Sequence, residues 1–141
     1  MSRSMQVELT TLCLIRNIDG KFLVQDRKKE DWPGLTFPGG HVEKDESILE
    51  SVIREIKEET GLTVSPRLVG IAEWLNDKNG SRELASLFVA QTQEELPANP
   101  EQPLLWVTKE ELLTTPLAGT LDQFLSIFFE DQQFFFQDNS N

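Results

Sequence analysis

The segment that most constrains this chain is Arg54-Glu55-Ile56-Lys57-Glu58-Glu59, where three carboxylates stand at positions i, i+3 and i+4. On a helix that spacing gathers them on one face. Three acids so close repel one another, and a pair in the last turn also faces the negative end of the helix dipole, so folding is disfavoured unless a cation sits there. The run therefore points to a divalent metal site. For the acid run taken alone, a solvated charged helix face is the competing reading.

The flanking residues read as a helix that ends at that site. Ser47 followed by Glu50 fits a capping box, Leu49, Val52, Ile53 and Ile56 form a core-facing stripe, and Gly61 stands where a left-handed residue ends a helix. Upstream, Pro38-Gly39-Gly40 marks a tight turn out of the apolar residues 35–37. A strand thus feeds a glycine loop, and the loop feeds an acidic helix.

Gly40, five residues, Glu46, seven residues, Arg54-Glu55, apolar Ile56, one residue, Glu58-Glu59, one residue, Gly61 and apolar Leu62 together resemble a complete Nudix box, with no departure at a fixed position. At average residue usage such a match arises by chance on the order of 10⁻⁹ per window, which outweighs any argument from composition. The resemblance implies a Nudix-type α/β/α sandwich around a mixed β-sheet, and metal-assisted hydrolysis of a phosphoanhydride. It also implies that Glu55, Glu58 and Glu59 bind metal with the Gly40 carbonyl as a further ligand, and that Glu55 is the first choice for general base or bridging ligand. Arg54 then pairs with a carboxylate and holds it in place, because its planar fork grips both oxygens. Glu46 is assigned a structural or outer role, Glu43 either lines the site or is a solvated loop acid, and Gly39 and Gly61 shape the flanking turns. Many family members supply another acid from a distant loop, for which Glu101 is the candidate here, with Glu94 and Glu95 behind it. A carboxylate and carbonyl donor set is a hard oxygen site, suited to Mg²⁺ or Mn²⁺ rather than zinc or copper.

The rest of the chain agrees with a small enzyme. Its 141 residues suffice for one domain with its own core, spanning residues 1–141. No apolar run reaches membrane-spanning length and the N-terminus lacks the regions of a secretion signal, so a cytoplasmic location without membrane contact is expected. Cys13 is the only cysteine, which rules out an intrachain disulfide or a cysteine-based zinc site and leaves it as a core residue of the apolar residues 12–15. His41 is the only histidine, and no Ser or Cys nucleophile motif accompanies it. The net charge of −11 argues against a nucleic-acid polymer as partner, whereas a small nucleotide remains compatible if a metal bridges carboxylate and phosphate oxygens.

Residues 6–18 and 21–25 flank an Asp19-Gly20 turn and read as a hairpin. Residues 63–76 and 82–92 suggest a second hairpin around residues 78–81, followed by a short strand at residues 104–107 and a turn of helix at residues 109–113. A final helix is predicted over residues 117–130 from Leu121, Phe124, Leu125 and Phe128, and loops over residues 26–34 and 93–102. Phe134, Phe135 and Phe136 stand among polar residues, which suggests core packing or an oligomer contact such as a homodimer.

Substrate choice rests on the resemblance of residues 24–43 to the MutT-like branch, which cleaves nucleoside triphosphates, including oxidised dGTP, to the monophosphate and pyrophosphate. Arg27, Lys28 or Lys29 then contact phosphates, and Trp32 or Trp74 stacks on the base; a solvated basic loop and buried aromatics are the alternatives. MutT-like enzymes often place a base-reading Asn before the last helix, whereas this chain has Leu117-Ala118-Gly119-Thr120, so Thr120 is left to make one hydrogen bond and oxidised guanine becomes questionable. The alternatives are ADP-ribose, a dinucleoside polyphosphate or a sugar nucleotide as substrate, or a nucleotide-sensing Nudix domain without turnover. The intact acids at positions 55, 58 and 59 weigh against the last.

Overall fold

The computed structural model describes residues 3–27, 34–76, 80–96, 103–119, 121–130 and 132–137. In chain order the elements are β1 (Val7–Arg16), β2 (Phe22–Arg27), β3 (Gly34–Thr36), β4 (Gly39–His41), α1 (Ile48–Thr60), β5 (Arg67–Leu75), β6 (Arg82–Gln91), β7 (Leu104–Val107), α2 (Lys109–Thr114), α3 (Leu121–Phe124), α4 (Ser126–Phe129) and β8 (Phe134–Gln137). The strands form one mixed sheet in the order β3-β2-β1-β6-β5-β8, with β4 pairing β1 and β7 pairing β2. The long β1–β6 pair is parallel, from Val7 opposite Arg82 to Arg16 opposite Gln91, and β5–β8 is parallel as well. The remaining strand pairs are antiparallel.

Alternation along the strands builds two cores. Because successive side chains point to opposite faces, Cys13, Ile15, Leu23, Phe88 and Ala90 pack on one face against Val52 and Ile56 of α1. Leu14, Val24, Ala85 and Leu87 pack on the other against Leu121, Phe124, Ile127 and Phe128. Both faces of the central strands are therefore covered, which is why they read as near-continuous apolar runs. The result is the α/β/α sandwich expected from the sequence, and both hairpins, the strand at Leu104–Val107 and the helix after it are present.

Four local expectations need correction. Leu49 does not face the core: it is 49% exposed, and the buried face of α1 runs through Ser51, Val52, Ile56 and Thr60. Small hydroxyl residues take the inward positions because they can bond locally, the Thr60 hydroxyl donating to the Ile56 carbonyl at 2.6 Å. Gly39 and Gly40 are not a tight turn but part of β4, paired antiparallel with Leu12 and Thr11. Asp26, Arg27 and Gly34 belong to strands rather than to a loop, and Arg27 pairs with Gly34. The final helix does not span residues 117–130, for Leu117 forms a bridge with Leu35, and the Ala118 N–H donates to the Leu35 carbonyl at 2.8 Å. Backbone groups committed to β3 cannot also serve a helix, and Gly119 with φ of 59° turns the chain into the short α3 and α4.

The tail is an edge strand. Phe135 packs toward Phe124 with ring centroids 5.7 Å apart, while Phe134 and Phe136 on the alternate face are exposed. Core packing was thus half of its role.

Candidate active site

Strand β1 changes partner along its length, and the change makes the site. Residues 10–12 pair with β4 and Arg16 pairs with β2, so β2 and β4 diverge from a common strand. Helix α1 lies beside the opening. Its start is held by a complete capping box between Ser47 and Glu50, its end by Gly61 with φ of 78° and a backbone bond to the Lys57 carbonyl, and Val52 and Ile56 anchor it fully buried. With that face fixed, the register of the helix brings Glu55 and Glu59, one turn apart, to the opening.

Glu59 spans it. One carboxylate oxygen accepts the Gly39 N–H at 3.1 Å and the other accepts the amide of Gln25, so β4 and β2 each supply a donor. Burial, opposed by those two bonds and reinforced by the neighbouring Glu55, pushes the Glu59 carboxyl up to about 7. Glu55 lies against Gly40, where a Cβ would come within 2.7 Å of its carboxylate carbon. Glycine is required there by close approach of a side chain, and at Gly39 by the Thr11 carbonyl, into which a Cβ would run.

One guanidinium serves this whole cluster. Arg54 grips Glu46 through two bonds, Nε at 2.9 Å and Nη2 at 2.7 Å, and its Nη1 reaches Glu55 at 3.0 Å and Glu58 at 3.2 Å. Nη2 also donates to the His41 carbonyl, and exposed Glu43 stands 3.9 Å away. The Arg54 fork holds the Glu46 carboxyl down to about 2, with a bond from the Glu43 backbone adding to the effect. Four carboxylates, those of Glu43, Glu46, Glu55 and Glu58, thus share one cation, and Glu59 is the acid of the cluster that it does not touch.

The oxygen donors at residues 40, 55, 58 and 59 are of the kind that Mg²⁺ and Mn²⁺ take, and the charge imbalance is of the sign a cation corrects. Among the described residues no three acidic, histidine or cysteine side chains already converge on one point. Glu58 is turned toward Arg54 and solvent, and the Thr11 hydroxyl donates to the Gly40 carbonyl at 3.4 Å. The Gly40 carbonyl and the carboxylates of Glu55, Glu58 and Glu59 are the groups that would hold such an ion, with Glu58 here paired to Arg54.

A cleft of about 460 Å³ opens from Gly40 and Glu59 toward Thr10, Trp74 and Glu83. Trp74 stacks on Phe124 with centroids 5.9 Å apart and an interplanar angle of 15°, and both rings line the cleft. Glu83 accepts the Thr10 hydroxyl at 3.1 Å and a bond from Trp74, while burial raises its carboxyl above the usual range. Gln25, Thr10 and Glu83 escaped the reading of the sequence. The available signal was a polar residue interrupting a strand, as Gln25 does after Phe22-Leu23-Val24.

The other predicted residues divide clearly. Gly39, Gly40, Glu46, Arg54, Glu55, Glu58 and Glu59 come together, with Trp74 in the cleft and Glu43 near Arg54. Glu94 is elsewhere, accepting the Thr63 N–H beyond the end of α1. Lys28, Lys29, Trp32, Glu101 and Thr120 lie outside the described residues, as does the side chain of Arg27 at the end of β2. Cys13 is fully buried, and burial pushes its thiol up to about 12, which leaves it inert as a nucleophile.

Residues 7–128 match the family model of the NUDIX domain. The phosphatase NudJ of Escherichia coli K12 is 31% identical over 111 residues, covering 74% of this chain and 71% of its own length. A MutT protein from Bacillus halodurans shares 30% identity with a TM-score of 0.75, over 94% of this chain and 91% of that one. The ORF135 protein of E. coli shares 29% identity with a TM-score of 0.74, over 91% and 92%.

Proposed function

This chain belongs to the Nudix domain family and is a hydrolase of phosphoanhydride bonds, and we propose that its reaction is the Mg²⁺-dependent hydrolysis of a nucleoside triphosphate to the monophosphate and pyrophosphate. The observation that carries the reading is the pair Glu55 and Glu59, held between β2, β4 and Arg54 at the mouth of a cleft sized for a nucleoside. When bound, the metal ion supplies charge neutralisation of the phosphates and acidification of water.

The chain's own groups supply the rest. Glu59 is oriented by Gln25 and Gly39 before any ligand arrives, so its geometry needs no rearrangement on binding. Arg54 fixes Glu55, while Glu58, the most exposed of the three and paired to the same guanidinium, would turn from it to hold the metal ion. In hydrolysis, water oxygen bonds to phosphorus, the anhydride P–O bond breaks, and a carboxylate takes the water proton. Glu55, beside Gly40 in the half-buried position, is our choice for that base. Trp74 offers a ring face to the base, and Glu83 offers acceptor oxygens to its N–H groups.

The relative's name, phosphatase, makes release of single phosphate the competing outcome. A nucleotide panel with Mg²⁺, read as pyrophosphate against phosphate and run in ¹⁸O-labelled water, separates them and identifies the attacked phosphorus. Cleavage confined to ADP-ribose, a dinucleoside polyphosphate or a sugar nucleotide overturns the triphosphate reading. Tight nucleotide binding with no turnover establishes a sensor instead.

A further inference from the structure

A second hollow lies away from the acids. A groove of about 880 Å³ lies at the opposite end of β1 and β6, roughly 17 Å along β1 from Thr11 at the 3.4 Å rise of an extended chain. Its charged lining residues are Arg16 at the end of β1, Arg67 at the start of β5 and Lys109 at the start of α2, with no acid among them. In a chain of 24 acids and 13 bases that is an inversion of the prevailing charge.

Among the described residues Arg54 and Arg82 form ion pairs, whereas Arg16, Arg67 and Lys109 have no carboxylate within 4.0 Å. Glu111 is committed to the capping box of α2, and Glu94 accepts the N–H of the lining residue Thr63. Three like charges around one hollow repel one another unless an anion joins them. The groove wall is aromatic: Phe22 meets the edge of Phe129 at 5.3 Å, and the Lys109 ammonium lies 4.7 Å from the Phe129 centroid.

We propose that this groove is a second ligand site, for a small organic phosphate that carries a flat ring. Arg16 and Arg67 take the phosphate, as guanidinium forks do, and the ring lies against Phe22 and Phe129. The volume falls in the range of small-molecule sites, roughly 300–1,000 Å³. The site does not depend on the reaction proposed above, because it shares no residue with the acid cleft.

The test is a titration of the full chain with AMP in EDTA, so that the acid cleft holds no metal and repels the phosphate. Backbone amide shifts locate the contact, and calorimetry gives the affinity. We expect shifts at Gln91, Thr63 and Phe129 rather than at Gly39 and Gly40. Arg16→Ala with Arg67→Ala should weaken AMP at least tenfold, adenosine should bind at least tenfold more weakly than AMP, and Glu55→Gln should leave AMP unchanged. Both arginines belong to strands whose partners are backbone groups, and an unchanged amide spectrum away from the groove verifies the fold of the double variant. The proposal is overturned if AMP does not bind, if shifts centre on Gly39 and Gly40, or if the arginine variants bind as the parent does.

Discussion

The two ends of β1 are electrostatic opposites. At one end four carboxylates crowd around Arg54 with Glu59 beside them; at the other Arg16, Arg67 and Lys109 line a groove with no acid among its lining residues. A surface of one sign favours a ligand of the opposite sign in both places. They differ in how they are assembled. The acids come from one helix and the loop before it, whereas the cations come from three segments that only the sheet and α2 bring together.

The largest expected effect sharpens that contrast through chemistry. Glu58→Gln should lower turnover by roughly two to four orders of magnitude with the fold intact, whereas Arg67→Ala should leave turnover within about twofold, as surface changes away from a site usually do. Steady-state rates on the nucleotide panel decide it, and a Glu58→Gln protein of parental activity removes that carboxylate from the mechanism.

Next in size is the anchoring of the acid end. Ile56→Ala should cost about 2–5 kcal/mol in urea unfolding, as for other fully buried aliphatic side chains. The exposed Leu49→Ala should stay within about 0.5 kcal/mol. Equal losses would mean that α1 is rotated from the orientation that presents Glu55 and Glu59.

A smaller effect follows from protonation. The Glu59 carboxyl is raised from 4.5 to about 7 in the folded chain, so the native state binds more protons than the unfolded one across that interval. Stability of the metal-free protein should therefore fall as pH rises from about 4.5 to about 7, and Mg²⁺ should abolish the fall. Glu46, lowered to about 2, acts with the opposite sign: its contribution is present above 4.5 and is lost as pH falls through about 2. Urea midpoints in EDTA and in Mg²⁺ at pH 5 and 8 measure the Glu59 effect, and a flat metal-free profile would contradict the burial assigned to it. The oligomeric state bears on the same molecule, since exposed Phe134 and Phe136 on edge strand β8 suit a homodimer contact, which sedimentation of the parent against Phe134→Ser would detect.

Much of the fold was legible because its signals are local. The capping box at Ser47 and Glu50, the left-handed Gly61 and the two hairpins each depend on neighbours within a few residues. Leu49 was misread because apolar spacing cannot register that Ser51 and Thr60 satisfy their hydroxyls inside the core. The segment after Pro116 was misread because its helical spacing competes with backbone bonds to Leu35, eighty or so residues away in the chain.

By itself, the sequence determined the family, the helix that carries the acids and their common face, since helical periodicity alone converts the spacing of residues 55, 58 and 59 into proximity. Only the tertiary structure decided that Gln25 and Gly39 clasp Glu59 from two diverging strands, that Trp74 and Glu83 share the cleft, and that Arg16, Arg67 and Lys109 line one groove. Those groupings depend on strand register and layer packing, which are set by the whole sheet rather than by any stretch of chain.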